Sequence, residues 1–549
     1  MRQTHEGMRQ THEAVRQTHE RMRQTHEGMW QTHEGMRQTH EGMWQTYERM
    51  RQTHEGMWQI RGRMLRTMNR MHDQSHMNSA FALRLSALVL FACWIPLPSA
   101  GQAIPAGPRV TAEAVEKWNA ADPVGRPKNA EAAGRFSVDH EAHRIAYNFQ
   151  APGIAMVPLA DGRVRVWLTW YQQNNKPGGG AIGGGSISHT VYAYCDDPFG
   201  KAERDARQRT LPSSRGADSA QPPERQPVWT RVVYVEPIAA RGDETASDPE
   251  VALMPDGRLL CSYITSGPGH DRKRATYAFL IGNPAATEGT FQLGRQHWLG
   301  YGVLSQPLLH EGKAYAVIDE WSVARRFSRL EFAADAAEGS GRLTSFPDTA
   351  EHDALRAVTL GEIPWPGHPA LTSFFEGSMH SVSGDRWRAY RRTQEGVYTT
   401  LSEPGGRTWG AEEKWKDFPS SNSRSAFAKS PTSGRIFGAV NCPAEGSKDR
   451  TNLTLVVSEA EGAPGTFRQS LNLEPDNGKR TVAAQYPRVA FDAAGRVYCV
   501  YRWSDKRPDA PHHGAAIVIA RVREDLLVSG KAALADVEKR AACEMTPAR

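Results

Sequence analysis

An all-β chain, a six-bladed β-propeller, is the fold class that the sequence predicts, on two observations. One short pattern recurs six times: an apolar stretch, a glycine turn, then a second apolar stretch. Around these copies there is little amphipathic helix. The copies read VPLADGRVRVWLTW, ALMPDGRLLCSYIT, LLHEGKAYAVIDEW, HSVSGDRWRAYRRT, AKSPTSGRIFGAVN and AFDAAGRVYCVYRW, with turn glycines at Gly162, Gly257, Gly312, Gly384, Gly434 and Gly495. Asp-Gly or Ser-Gly between strand-like runs is a hairpin signal. The glycines stand 50 to 95 residues apart, which suits one four-stranded blade per copy with insertions. Six blades set radially leave only short edges exposed.

The regions outside the copies divide the 549 residues further. Residues 1–76 are a seven-residue repeat (MRQTHEG, MRQTHEA) in which only the Met position is apolar. A coiled coil needs two apolar positions per heptad, and glycine weakens a helix. The repeat is read as lying outside the fold. Residues 77–103 read as a secretory signal peptide: Arg84, an apolar run from Leu85 to Ile95, a break at Pro96 and Pro98, then Gly101, Gln102 and Ala103. That run is too short to span a bilayer, so the expectation is a secreted or periplasmic protein with no membrane span. Residues 104–145 form a lead-in, 146–523 the propeller, and 524–549, with KAALADVEKRAA, a helical tail.

Composition bounds the function. Cys195, Cys261, Cys442, Cys499 and Cys543 are an odd, sparse set rather than a disulfide framework. Cys261 and Cys499 each fall four residues after a turn glycine and are read as buried small apolar residues. The net charge of +6 forms no block, so nothing points to nucleic acid. Residues 201–227 are polar and rich in Pro, Ser and Arg, a solvated loop. The Gly-rich run 178–185 lacks the Lys-Ser/Thr ending of a phosphate loop and is read as a flexible loop at the pocket mouth. No metal site and no cofactor motif stands out. The oligomeric state is left open.

The stretch SEPGGRTW, Ser402 to Trp409, resembles the Asp-box, the S-x-D-x-G-x-T-W turn of the sialidase superfamily. Ser402, Gly406, Thr408 and Trp409 match, and Pro404 stands at the Asp position. SEAEGAPGTF (458–467) and GNPAATEGTF (282–291) resemble it more weakly. EGSMHSVSGDRWRAYRR, RTNLTLVVSEAEG and QYPRVAFDAAGRVYCVY follow in the family's order. The resemblance implies a sialidase-like propeller in which the box closes an outer turn, remote from the reaction centre.

It also implies a set of site residues. A sialidase cleaves a ketoside whose anomeric carbon bears a carboxylate, which would repel an anionic nucleophile. The family therefore uses a Tyr hydroxyl, with a Glu to take its proton. Three arginines hold the carboxylate with their planar forks, and an Asp serves as acid and base. On this resemblance Tyr486 falls on the nucleophile, Glu376 on its proton acceptor, Arg391 on the second Arg and Arg450 on the third. Arg392 neighbours Arg391, but strand alternation points it the other way. The departures matter too. Gly153 to Val157 occupy the place of the first Arg motif and contain no Arg. Arg502 stands where the family has the Glu that supports that first Arg. No Asp precedes Asp196 in the region of the acid, where His189 is the nearest side chain able to exchange a proton.

Arg391, Arg450 and Arg502 are thus expected to form a cationic pocket for an acidic sugar. Three functions follow: a glycoside hydrolase acting on a sialic or uronic acid-containing glycan, a non-catalytic glycan-binding propeller, or a polysaccharide lyase on uronic-acid glycans.

Overall fold

All six turn glycines hold a left-handed backbone, with φ between 69° and 86°. That conformation costs an L side chain about 1–2 kcal/mol, so glycine is favoured there. The computed structural model describes residues 109–121, 134–138, 148–173, 188–199, 229–236, 245–266, 274–320, 324–332, 355–363, 376–444, 447, 449–475, 482–505 and 515–544. The heptad repeat, the segment 77–103 read as a signal peptide, the Gly-rich run and the 201–227 insertion lie outside these residues.

Apart from two short α-helices, α1 (Ala112–Ala120) and α2 (Glu524–Ser529), and two single 3₁₀ turns, the described elements are strands. The first sheet holds ten: β1 (Arg135–Ser137), β2 (Asn148–Pro158), β3 (Val164–Gln173), β4 (Ser188–Asp196), β5 (Thr230–Glu236), β6 (Thr245–Leu253), β7 (Leu259–Ser266), β8 (Arg274–Gly282), β9 (Gln292–Leu293) and β10 (His297–Tyr301). Five more follow in the second: β11 (Val303–Leu304), β12 (Leu308–His310), β13 (Lys313–Glu320), β14 (Ala324–Phe332) and β15 (Leu355–Glu362). Three four-stranded meanders complete the set. They are β16 (Ser378–Val382) to β19 (Glu413–Lys414), with β17 (Arg386–Thr393) and β18 (Gly396–Leu401) between; β20 (Ala426–Lys429), β21 (Ile436–Asn441), β22 (Leu453–Ser458) and β23 (Phe467–Glu474); and β24 (Val482–Phe491), β25 (Arg496–Asp505), β26 (Ala515–Arg523) and β27 (Glu538–Glu544). Each turn glycine joins the first two strands of such an antiparallel run.

Separate apolar clusters fill the spaces between successive runs. Tyr192 and Val233 meet Tyr263 and Phe279. Leu260 and Leu280 meet Ala316 and Leu330. Val317 and Phe327 meet Met379 and Trp387. Tyr390 and Val397 meet Phe427 and Val456, and Leu455 and Val457 meet Val489 and Val497. Finally Val500 and Ile517 of the last sheet meet Ile154 and Leu168 of the first. The arrangement is therefore all-β and propeller-like, and its last sheet packs on its first. Aromatic rings do much of the bridging: Trp387 lies 4.4 Å from Tyr315 and 5.1 Å from Phe327, centroid to centroid. Full burial of such a side chain contributes about 1.5–3 kcal/mol. Cys261 and Cys499, in the second strands β7 and β25, are buried as the sequence suggests.

The Asp-box-like turn links β18 to β19, and its two weaker relatives link β8 to β9 and β22 to β23, the same place in each run. Without an Asp at position 404, the turn is held otherwise. Ser402 Oγ accepts from the Trp387 amide at 2.8 Å, and the Trp409 indole donates to the Gly406 carbonyl at 2.9 Å. Trp409 packs 5.5 Å from Phe327 of the neighbouring sheet. One expectation is corrected. The tail from 524 is not helical throughout: among its described residues Glu524–Ser529 is α-helical, Leu534–Asp536 is a single 3₁₀ turn, and β27 completes the last sheet by pairing with β26.

Candidate active site

Three first strands share one local device. β2, β6 and β24 each carry a bulge, between Gln150 and Gly153, Ser247 and Glu250, and Gln485 and Arg488. At each bulge a residue followed by proline takes a left-handed backbone: Ala151 (φ 45°), Asp248 (φ 44°) and Tyr486 (φ 55°). Such a conformation on a non-glycine residue is strained, and bulges re-aim side chains near sites. β2 lies between β6 and β24. The bulge therefore presents a phenol on one flank, a carboxylate on the other, and no functional side chain at Ala151 between them.

Around Tyr486 the polar side chains form one network. Arg450 donates from Nη1 to the Tyr486 hydroxyl at 3.3 Å and to Gln485 Oε1 at 2.8 Å. Its guanidinium carbon lies 5.4 Å from the centre of the Tyr486 ring, and that of Arg424 lies 5.7 Å away. Asn422 Oδ1 accepts from Arg450 at 3.2 Å and from Arg392 at 2.9 Å. Arg392 in turn donates to Glu376 Oε2. Arg424 Nε stands 3.9 Å from that same oxygen, while its Nη1 donates to Glu250 at 3.3 Å and its Nη2 lies 3.7 Å from Asp248. Arg488 binds Glu250 through Nε, at 3.1 Å, and through Nη2. Arg502, directly across from Gln485 in the β24–β25 register, faces the same space. Burial pushes its pKa down, while Tyr486 and Tyr171 favour its charge. Tyr171 donates to Gln150 Oε1 at 2.7 Å.

The electrostatics follow from this packing. Burial alone would raise the Glu376 pKa, but Arg392 and Arg424 outweigh it and hold the carboxyl at about 2. Burial likewise works against the charge of Arg424, but Glu376, Glu250 and Asp248 overcome it and raise the pKa. Among the described residues this network gathers five arginines (392, 424, 450, 488 and 502) and three carboxylates (Asp248, Glu250 and Glu376).

The structure thus gathers Tyr486, Glu376, Arg450 and Arg502. Among the described residues no hydrogen bond joins Glu376 directly to Tyr486; the two connect through Arg392, Asn422 and Arg450. Arg391 is placed elsewhere. It pairs with Glu412 at 2.8 Å, and Glu412 also binds Arg325 of β14, so this buried group ties two sheets together. The expected orientation of Arg391 and Arg392 is therefore reversed. The β16–β17 register sets Ser378 opposite Tyr390, and just beyond that pairing Arg392 bonds Glu376, two residues before Ser378. His189 lies on β4, the third strand of its run. Its Nε2 is 2.8 Å from the Gln172 amide, and its ring is 5.7 Å from Tyr234. Neither neighbour belongs to the Tyr486 network.

Sequence reasoning missed Arg392, Arg424, Arg488, Asn422, Asp248 and Glu250. One signal pointed to part of this set: Q-A-P-G, S-D-P-E and Q-Y-P-R recur eight to ten residues before a turn glycine. Among the described residues no group of three His, Cys, Asp or Glu side chains is placed to hold a metal ion, and no helix is long and apolar enough to cross a membrane.

No protein-family model and no curated protein matches this sequence. Solved structures similar to the chain include the NanB sialidase of Streptococcus pneumoniae, at 9% identity and TM-score 0.40, covering 66% of this chain and 66% of that one. They also include Trypanosoma rangeli sialidase, at 10% identity and TM-score 0.44, covering 70% of this chain and 57% of that one. A third is the GH93 α-L-arabinofuranosidase of Fusarium graminearum, at 10% identity and TM-score 0.38, covering 71% of this chain and 96% of that one. The chain spans just under two thirds of the NanB structure and little more than half of the T. rangeli one.

Proposed function

We propose that this chain is a six-bladed propeller that cleaves an acidic glycan, one containing sialic or uronic acid, in a pocket centred on Tyr486. The observation that carries the reading is the cluster of guanidinium groups beside a half-buried phenol. Guanidinium groups gathered in one place favour an anionic ligand, and each can grip a carboxylate bidentately. The six-blade count is supported by the ten-stranded sheet itself. Its two meanders are joined by a single parallel pairing, Ser188 with Thr245, and read as two blades.

In this reading Arg392, Arg450 and Arg502 receive the sugar carboxylate. Tyr486 is the reacting group, and the Arg450 donor at 3.3 Å favours charge on its oxygen as the O–H bond breaks. Glu376 Oε2 is occupied by Arg392 and Arg424, which leaves Oε1 to accept a proton. A carboxyl held at about 2 suits a counter-ion better than a base.

That last point favours a second reading, elimination. Tyr486, as its phenolate, would take the proton next to a uronate carboxylate, the glycosidic C–O bond on the adjacent carbon would break, and the phenol so formed would return the proton to the leaving oxygen, while the arginines neutralise the developing charge. Products separate the readings. Hydrolysis gives a new reducing end alone, and elimination adds an unsaturated sugar absorbing in the ultraviolet. If neither appears across sialylated and uronate-containing glycans, the catalytic proposal falls. We further propose, from residues 77–103, that the chain works in a secreted or periplasmic setting; detection of uncleaved protein in the cytoplasm would overturn it.

A further inference from the structure

We propose that Asn422 is a positioning residue that holds Arg392 and Arg450 as a pair closing on one carboxylate, an inference that rests on the acidic-glycan reading above. Its Oδ1 accepts from Nη2 of Arg392 at 2.9 Å and from Nη2 of Arg450 at 3.2 Å. Guanidinium groups only donate hydrogen bonds, so the atom between them is the amide oxygen and not its nitrogen. Two like charges brought to one acceptor repel, and a neutral dipole is the mildest group able to hold them together without cancelling their charge. A carboxylate at this position would hold them more strongly but would occupy the place of the ligand.

The surroundings fix Asn422 in this role. Arg392 is anchored on its other side by Glu376, and Arg450 by Gln485 at 2.8 Å. Each arginine is therefore held by a partner of its own besides the shared Asn422. Arg424, two residues on, reaches the same network through Glu376 and Glu250, so residues 422 and 424 face one way. Arg392 comes from β17, while Arg450 precedes β22. Among the described residues, Asn422 is the one side chain that hydrogen-bonds both.

The test uses the full chain with glucuronate and N-acetylneuraminate as probes, glucose as the neutral control, and Asn422→Ala and Asn422→Asp as variants. Asn422→Ala should weaken both acids about tenfold, with glucose unchanged. Asn422→Asp should keep the arginines in place, so its Tm equals or exceeds that of the wild type. It should nevertheless bind the acids about a hundredfold more weakly, with a shallower salt dependence, because the new carboxylate cancels one positive charge. A merely structural role predicts the opposite, with Asn422→Asp restoring binding. That result, or wild-type affinity in both variants, overturns the inference. A wild-type chain that does not distinguish the acids from glucose overturns the acidic-glycan reading, and this inference with it.

Discussion

Arg391 and Arg392 are adjacent in the chain and serve opposite sides of β17: the first is bound to Glu412, the second to Glu376. One belongs to a buried tie between two sheets and the other to the Tyr486 network. Their substitution should separate cleanly. Glu412→Ala removes a carboxylate that two buried guanidinium groups share and should cost roughly 3–5 kcal/mol, read by urea denaturation, with acidic-sugar affinity unchanged. Arg392→Met should instead weaken acidic-sugar binding about tenfold or more in calorimetry. Equal losses of affinity in both variants would contradict this division.

Tyr486→Phe keeps the ring that packs beneath Arg424 and Arg450 and removes the oxygen that Arg450 contacts. Turnover should drop about a thousandfold or more while sugar affinity stays within a few-fold. Comparable turnover in the two proteins would mean that Tyr486 does not react.

Gly377 carries no functional group, yet the site depends on it. A Cβ there would collide with the Tyr390 carbonyl oxygen across the β16–β17 pair. Gly377→Ala should push the two strands apart beside Glu376, at a cost of about 1–3 kcal/mol. The Glu376–Arg392 contact should loosen with it. Chemical denaturation measures the first effect and acidic-sugar affinity the second; an Ala variant matching the wild type in both would refute the claim.

Two buried histidines set an acid limit to stability. Burial pushes His380 down to about 3 and His297 to about 4. Below pH 6.5 the unfolded histidines bind protons that the folded ones do not. Stability should therefore fall as pH drops from 6.5 toward these values, by up to about 1.4 kcal/mol per pH unit for each. Glu376 acts lower down: it stabilises above the ordinary carboxylate pKa and loses that effect as pH falls toward 2. Denaturation midpoints at pH 7 and 5 test the histidines, and His380→Gln should flatten the slope. A wild-type slope in that variant would exclude His380.

How far the chain was legible depended on whether a requirement is local. Six glycines announced six hairpins because a left-handed turn residue is demanded by the turn itself. Tyr486, Glu376, Arg450 and Arg502 could be singled out because each lies in a string that resembles a known family, and the fold brings the four together. The choice between Arg391 and Arg392 was missed because it turns on how β17 lies beside β16, beyond whose pairing Arg392 bonds Glu376. Arg424 and Glu250 touch across 174 residues of chain, and no window of sequence contains both. His189 looked functional in a region short of carboxylates, but its strand places it beside Gln172 and Tyr234.

The packing of the last sheet on the first has a consequence for how the protein is made. Gln150 and Tyr171 leave the ribosome some three hundred residues before Tyr486 and Arg502. Until then the early strands Ile154 and Leu168 belong to have no partner for one apolar flank. The cluster around Tyr486 is consequently completed only once β24 and β25 emerge, and a nascent chain halted before β24 would carry most of the scaffold without Tyr486 and Arg502.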